Sequence, residues 1–257
     1  MLYSDQPRVH YDKAQLAEVI CQFRFPAILS IAAREPVDFQ EAVRAMFPRY
    51  AAKEERPAPR ITALGGSGPK LEPQKPVINH NFVSADGRWK LNLANTFISL
   101  STVAYPGWEE FGKHFDMPLV QFIRIYKPAF FERIGLRYVN IFSRKKLELE
   151  GELWRDLIAE PYLGVLAEED VDERSVRKCS VDVELELDSS CRARIHAGPG
   201  VVKQNLPNIP PDPEVKFILD MDLSMGGQLA PRLAAGGMET LFQGAITDRL
   251  HTALEPN

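Results

Sequence analysis

The side chains that build metal sites and acid–base pairs are present but poorly spaced for either. Five histidines stand at 10, 80, 114, 196 and 251. None reaches another at the H-x-x-x-H or H-E-x-x-H spacing that puts two imidazoles on one helix face for zinc, so no metal site is expected. Asp182, Glu184, Glu186 and Asp188 alternate along one strand face and could offer oxygen to a hard cation. Arg192 and Arg194 compete for the same carboxylates, which makes charge pairing the expected role. His196 opposite Asp182 resembles two members of a hydrolytic triad, yet no G-x-S-x-G elbow or other marked nucleophile accompanies it. Gly65-Gly66-Ser67-Gly68-Pro69-Lys70 lacks the spacing that cradles phosphates. These patterns predict no catalytic residue and no cofactor.

Binding candidates are clearer. Asn81, Arg88, Lys90 and Asn92 fall on the polar face of one hairpin and form the best ligand-facing set in the first half. Arg133 and Arg137 alternate with apolar residues on a strand expected to be central, where an arginine needs a carboxylate partner or a ligand.

The elements that must position these groups follow from periodicity. Ala17, Val19, Cys21, Phe23 and Phe25 alternate with polar or mixed positions and predict a first strand over Leu16 to Phe25. Glu35-Pro36-Val37-Asp38 opens a helix running to about Met46, with Phe39, Val43 and Phe47 at spacing four. Lys53 to Pro76 is rich in proline and glycine and predicts a mobile loop around one short strand. Asp86-Gly87 between Val77–Ala85 and Arg88–Leu93 predicts a hairpin closed by a type I′ turn, pairing Ala85 with Arg88. Phe82, Trp89, Leu91 and Leu93, with His80, then share the apolar face. A strand over Phe97 to Val103 follows, and Trp108 to Tyr126 carries an aromatic helical stripe that Pro118 should kink or split.

The second half repeats this order. It predicts a strand from Phe130 to Phe142, a helix near Leu153 to Ile158, strands at Val176–Leu187, Cys191–Ala197 and Val215–Leu223, and a C-terminal helix through Leu241 to Leu254. Register decides which charges meet around Ser189. A two-residue loop would set Glu186 beside Ala193. A three-residue loop over Asp188 to Ser190 pairs Glu186 with Arg192, Glu184 with Arg194 and Asp182 with His196, and it also aligns Leu185 with Ala193 and Val183 with Ile195. The second register is expected. The fold class is therefore α+β: two similar strand-helix-meander-helix units, 1–128 and 129–257, forming a continuous, largely antiparallel sheet backed by helices in one compact domain. The duplication is analogous in fold to the TATA-binding protein.

Composition excludes several classes of function. Thirty-one basic against thirty-five acidic side chains give a net charge of −4, with no global basic field for nucleic acid or anionic lipid. Seven bases face fourteen acids between residues 144 and 190, whereas residues 1 to 143 are net positive, so a charged partner could be oriented. The three cysteines, Cys21, Cys179 and Cys191, form no C-x-x-C pair and are expected as free thiols. Met1-Leu2-Tyr3-Ser4-Asp5 has neither a charged nor an apolar leader region, and no 18-residue apolar run occurs, which predicts a cytoplasmic protein with no membrane partner.

Three stretches carry a family resemblance: Leu16 to Phe25 (LAEVICQFRF), Tyr105 to Phe111 (YPGWEEF) and Tyr126 to Asn140 (YKPAFFERIGLRYVN). With them the chain resembles a sporadically distributed, uncharacterised prokaryotic protein family of about this length. The resemblance runs from about Leu16 to Leu254 and is most specific in the third stretch. It implies no activity, cofactor or catalytic residue, and its scattered occurrence is compatible with accessory or defence-linked roles. The first function expected is thus a non-catalytic interaction or accessory protein, antitoxin-like, immunity or defence-linked, binding another protein or a second copy of the chain. The alternative is a sheet-surface binder of nucleic acid. An enzyme with a site between the halves ranks below both, since only Arg133, Arg137, Asp182 and His196 would nominate it.

Overall fold

The computed structural model describes residues 11–55, 60–62, 70–72, 76–187, 191–202 and 212–226. The C-terminal helix expected over Leu241 to Leu254, the glycine-rich run at Gly65, most of the expected Lys53–Pro76 loop, and Asp188 to Ser190 lie outside them. The fold is mixed α+β. Eleven strands are described, nine of which pair in the order β2-β5-β6-β7-β1-β8-β11-β10-β9. The chain divides into two compact units, Cys21–Arg133 and Ile134–Gly226, the latter joined by the residues up to Ile20.

In the Cys21–Arg133 unit the elements are the end of β1 (Leu16–Arg24), α1 (Leu29–Ala33), α2 (Val37–Val43), β2 (Arg49–Glu55), the hairpin β3 (Arg60–Thr62) and β4 (Lys70–Glu72), β5 (Val77–Val83), β6 (Trp89–Ala94), β7 (Phe97–Thr102) and α3 (Trp108–Tyr126). Helix α2 stops three residues before the expected Met46. Its Phe39 and Val43 are fully buried, and Phe39 meets Phe82 of β5 edge to face at 5.5 Å. Phe82, Leu91 and Leu93 are fully buried, and His80 and Trp89 join them on the face expected from the hairpin pattern.

The β5–β6 register is the expected one, with His80 opposite Leu93 and Asn81 opposite Asn92, but the turn is not type I′. Gly87 alone has positive φ, at 75°, and its N–H donates to the Ser84 carbonyl at 3.0 Å. The Asp86 carboxylate accepts from the Ser84 hydroxyl at 2.5 Å and from the Arg88 N–H at 3.0 Å. This side-chain bonding holds Asp86 at negative φ and lengthens the loop symmetrically, so register survives the change of turn.

Helix α3 is continuous across Pro118, which overturns a split of the helix there. Phe111, Phe115, Pro118 and Phe122 are all buried on one stripe. Burial of such aromatics contributes about 1.5–3 kcal/mol each, enough to offset the roughly 3 kcal/mol cost of an interior proline. Phe122 lies 4.8 Å from Phe25, and Phe115 lies 5.4 Å from Phe23.

The second unit contains β8 (Arg133–Phe142), α4 (Trp154–Leu157), β9 (Val181–Glu186), β10 (Cys191–Val201) and β11 (Val215–Gly226). β8 starts three residues after the expected Phe130. β9 starts at Val181 rather than Val176, because Glu160–Tyr162, Gly164–Ala167 and Glu173–Ser175 wind into short 3-10 turns. A clasp fixes that segment: Arg144 donates to the Glu152 carbonyl at 2.7 Å and pairs with Glu173 at 2.6 Å. The Arg144 guanidinium also stands 4.3 Å above the Trp154 ring, and Glu173 accepts the Trp154 N–H at 2.9 Å.

Two tests of this packing follow. His80 is buried, its Nε2 bonds the Ile31 carbonyl at 3.2 Å and its Nδ1 faces the Tyr50 hydroxyl at 2.9 Å. Only an N–H can donate to the carbonyl, so neutral His80 carries its proton on Nε2 and accepts from Tyr50. Burial holds its pKa below the ordinary 6.5, against opposing effects of the Ile31 carbonyl and Glu35. The unfolded chain therefore takes up this proton first as pH falls. The stability that neutral His80 contributes is complete above the unfolded value and is lost as pH drops through the folded one. Urea midpoints should fall between about pH 7 and pH 5, and His80→Gln should flatten that slope; an unchanged slope would remove His80 as its source.

At Gly198 an added Cβ would stand 2.5 Å from the Cys179 carbonyl oxygen and 3.1 Å from the Ser180 Cα, whereas at Gly112 on α3 it would meet nothing within 4 Å. Gly198→Ala should destabilise by about 1–3 kcal/mol by displacing the chain that enters β9. Gly112→Ala should instead stabilise by roughly 0.5–1 kcal/mol. Equal effects in chemical denaturation would contradict this reading of the β9 approach.

Candidate charged sheet face

From Arg192 to Ala197, strand β10 places its odd-numbered side chains in the core and its even-numbered ones on the opposite face. Ala193, Ile195 and Ala197 are buried, while Arg192, Arg194 and His196 are exposed. Its neighbours follow the same alternation: Phe217, Leu219, Met221 and Leu223 of β11 are buried, leaving Asp220 and Asp222 on the polar side. Along β9, Val183 and Leu185 are half-buried and Asp182, Glu184 and Glu186 exposed.

Pairing then arranges the polar side in rows across the strands. Glu186, Arg192 and Ser224 form one row; Glu184, Arg194 and Asp222 the next; Asp182, His196 and Asp220 the third. The β9–β10 register is the one expected from charge matching, and the Leu187 N–H closes on the Cys191 carbonyl at 2.9 Å. Arg192 reaches Glu186 at 2.9 Å, Arg194 reaches Glu184 at 3.0 Å and His196 Nδ1 reaches Asp182 at 2.7 Å. The third row extends to β8, where Arg137 grips Asp220 with two parallel bonds, its Nε donating at 2.7 Å and its Nη2 to the other oxygen. Bonding to Asp220 raises the Arg137 pKa, and the charges of Asp222 and Glu18 act in the same direction. The rows border an open depression of about 570 Å³ lined by Arg137, Asp182, Glu184, Arg194, His196, Asp220 and Asp222.

The expected site residues are distributed, not gathered. Arg137 belongs to this face, and its carboxylate partner is Asp220. Arg133 is half-buried at the other end of β8, on the far side of the division at Ile134. Asn81, Arg88, Lys90 and Asn92 share the polar face of the β5–β6 hairpin in the Cys21–Arg133 unit. Arg88 and Lys90 are exposed there. Asn81 and Asn92 are half-buried, with the Asn81 amide donating to the Asn79 carbonyl at 3.2 Å. Asp220 and Asp222 were not among the candidates; their alternation with Leu219, Met221 and Leu223 was the available signal.

The chemistry open to this face is ionic. Asp182 and His196 are disposed as an orienting carboxylate and a base, but the row continues to Asp220, not to a hydroxyl or thiol. Among the described residues no group of three or more His, Cys, Asp and Glu side chains is placed to hold a metal ion, and no helix is long and apolar enough to cross a membrane. No protein-family model matches the chain. A search of curated proteins likewise gives no match.

The row structure makes a specific energetic prediction. Arg194→Glu sets three acids side by side and should destabilise by on the order of 1 kcal/mol, less at high salt. Adding Glu184→Arg should recover part of that loss in a double-mutant cycle. A coupling indistinguishable from zero at low salt would mean that the row contributes no pairing energy.

Proposed function

We propose that the protein is a non-catalytic interaction or accessory protein that acts by binding another protein through the charged face of β9, β10 and β11. The observation that carries this reading is the ordered set of five carboxylates, those of Asp182, Glu184 and Glu186 exposed and those of Asp220 and Asp222 half-buried, against Arg192, Arg194 and His196 on that face and Arg137 on β8 beside it. Rigid strands hold these charges in fixed rows. Surface ion pairs of this kind contribute little to stability, about 0–1 kcal/mol each, but a fixed pattern of charge steers and orients a partner. Cytoplasmic location, membership of the prokaryotic family described above and a defence-linked or immunity role belong to the same proposal.

A duplicated origin is part of this reading. Each three-stranded meander, β5-β6-β7 or β9-β10-β11, ends beside a long strand, β1 or β8. That correspondence supports the expected duplication and its analogy with the TATA-binding protein. The second reading, a sheet-surface nucleic-acid binder, draws on exposed Arg88 and Lys90 beside Asn81 and Asn92.

The test compares two variants against a partner isolated from the native host. Asp182→Asn with Glu184→Gln and Glu186→Gln should slow association at low salt by about tenfold or more, while Arg88→Glu with Lys90→Glu leaves it near the parent rate. The reverse ranking would move the interface to the β5–β6 hairpin, and binding of a nucleic acid lost only in the second variant would favour the alternative. Circular dichroism must first establish that both variants fold.

A further inference from the structure

Strand β9 ends the paired order, and no described strand lies beyond it. The bond from the Leu187 N–H to the Cys191 carbonyl identifies the odd-numbered residues of β9 as those whose backbone groups point toward β10. In an antiparallel ladder the intervening residues point the other way. The N–H and C=O groups of Asp182, Glu184 and Glu186 therefore face outward, with no strand partner among the described residues. The same three residues carry the exposed carboxylates.

We infer that β9 is a docking edge for an extended segment of another protein, added as an antiparallel strand, with basic side chains at alternate positions and apolar ones between them. The inference rests on the protein-binding reading above and names the chemistry of the partner. Each residue directly opposite Asp182, Glu184 or Glu186 would exchange two backbone hydrogen bonds and put its side chain beside a carboxylate. Arg192, Arg194 and His196 serve those carboxylates from the β10 side only. A lysine or arginine arriving from the open side adds a cation beside each of these carboxylates. On the opposite face Val183 and Leu185 are half-buried, so the intervening residues must be apolar to extend that surface.

The edge also rejects the commonest wrong partner. A second copy's β9 added antiparallel would set acid against acid, and like charges directly opposite destabilise a pair. Repulsion of itself and attraction of a basic strand together give the edge its selectivity.

The experiment uses the full chain and a synthetic peptide alternating lysine with valine. Three comparisons accompany it: the same peptide N-methylated at the lysines, a sequence-scrambled peptide of equal charge, and the Asp182→Asn, Glu184→Gln, Glu186→Gln variant. The parent peptide should slow hydrogen exchange at the amides of 182, 184 and 186. N-methylation, scrambling and neutralisation of the acids should each weaken binding by at least about tenfold in fluorescence anisotropy at low salt. N-methylated and parent peptides binding alike, or no protection at saturating peptide, would overturn strand addition, as would no binding at all. If the peptide fails while a native partner still depends on the three acids, this inference falls and the protein-binding reading stands; if that dependence is absent too, both fall.

Discussion

Strand β10 is fixed by two demands that agree from Arg192 to Ala197, and the second unit is arranged around that agreement. Its core side offers Ala193, Ile195 and Ala197 to a buried layer shared with Phe217, Leu219 and Met221. Its other side sets Arg192 and Arg194 against carboxylates on β9. A slip of one residue would drive two guanidiniums and an imidazole into the core, where an unpaired charge costs several kcal/mol even after relaxation. The apolar layer supplies most of the energy that holds the strands together. The charges reinforce the exclusion of odd slips, whereas a two-residue slip would keep the core face apolar and still set Arg194 against Asp182 or Glu186.

The surroundings of β10 and β11 are secured by pairs more deeply placed than the rows themselves. Lys216 at the start of β11 is buried, and it bonds Asp212 at 2.6 Å while Glu214 stands 3.9 Å away. Glu214 in turn accepts the Ser143 hydroxyl at 2.7 Å, tying the residues before β11 to the end of β8. Arg144, the next residue, begins the clasp to Glu173 and Trp154. Consecutive positions after β8 thus anchor two separate segments. The Arg144–Glu173 pair lies where solvent screens it weakly, so loss of one member leaves the other desolvated and unpaired. The exposed rows lack that protection and are correspondingly free to exchange water for a partner.

Where the pattern of residues was local, the sequence was legible. Alternation over Val181 to Ala197 contained enough information to choose between two hairpin loops, because charge and apolarity voted together. The β5–β6 register was equally readable, although its turn was not: the bonds from Ser84 and Arg88 to Asp86 override the preference that Asp-Gly has in isolation. That the helix does not split at Pro118 was hidden for a related reason, since the proline's backbone penalty is local and the stripe of Phe111, Phe115 and Phe122 that offsets it acts through tertiary packing. The partner of Arg137 was beyond reach. Asp220 lies 83 residues away, and only the placement of β11 brings the two together. The 3-10 turns before β9 were hidden likewise, because the Arg144–Glu173 pair that organises them spans 29 residues.

Specificity, not stability, gives the clearest physical account of a charged strand at a sheet edge. An edge strand presents unpaired backbone groups, which makes it a template for unwanted pairing unless charge, bulges or a cover prevent it. Lysine is the frequent guard, and uniform charge of either sign repels an identical strand. Acids bonded on one side to arginine and histidine do more than repel, because they have lone pairs left to offer on the other side. Asp182, at 73% side-chain exposure, and Glu186, at 74%, remain largely open to solvent even while paired. A carboxylate so placed has already been aligned by its first partner, so a second cation meets a group whose rotamer freedom is reduced. That preorganisation lowers the entropic cost of ordering the edge on binding. The same rows that guard against self-pairing therefore prepare the edge for one class of incoming strand.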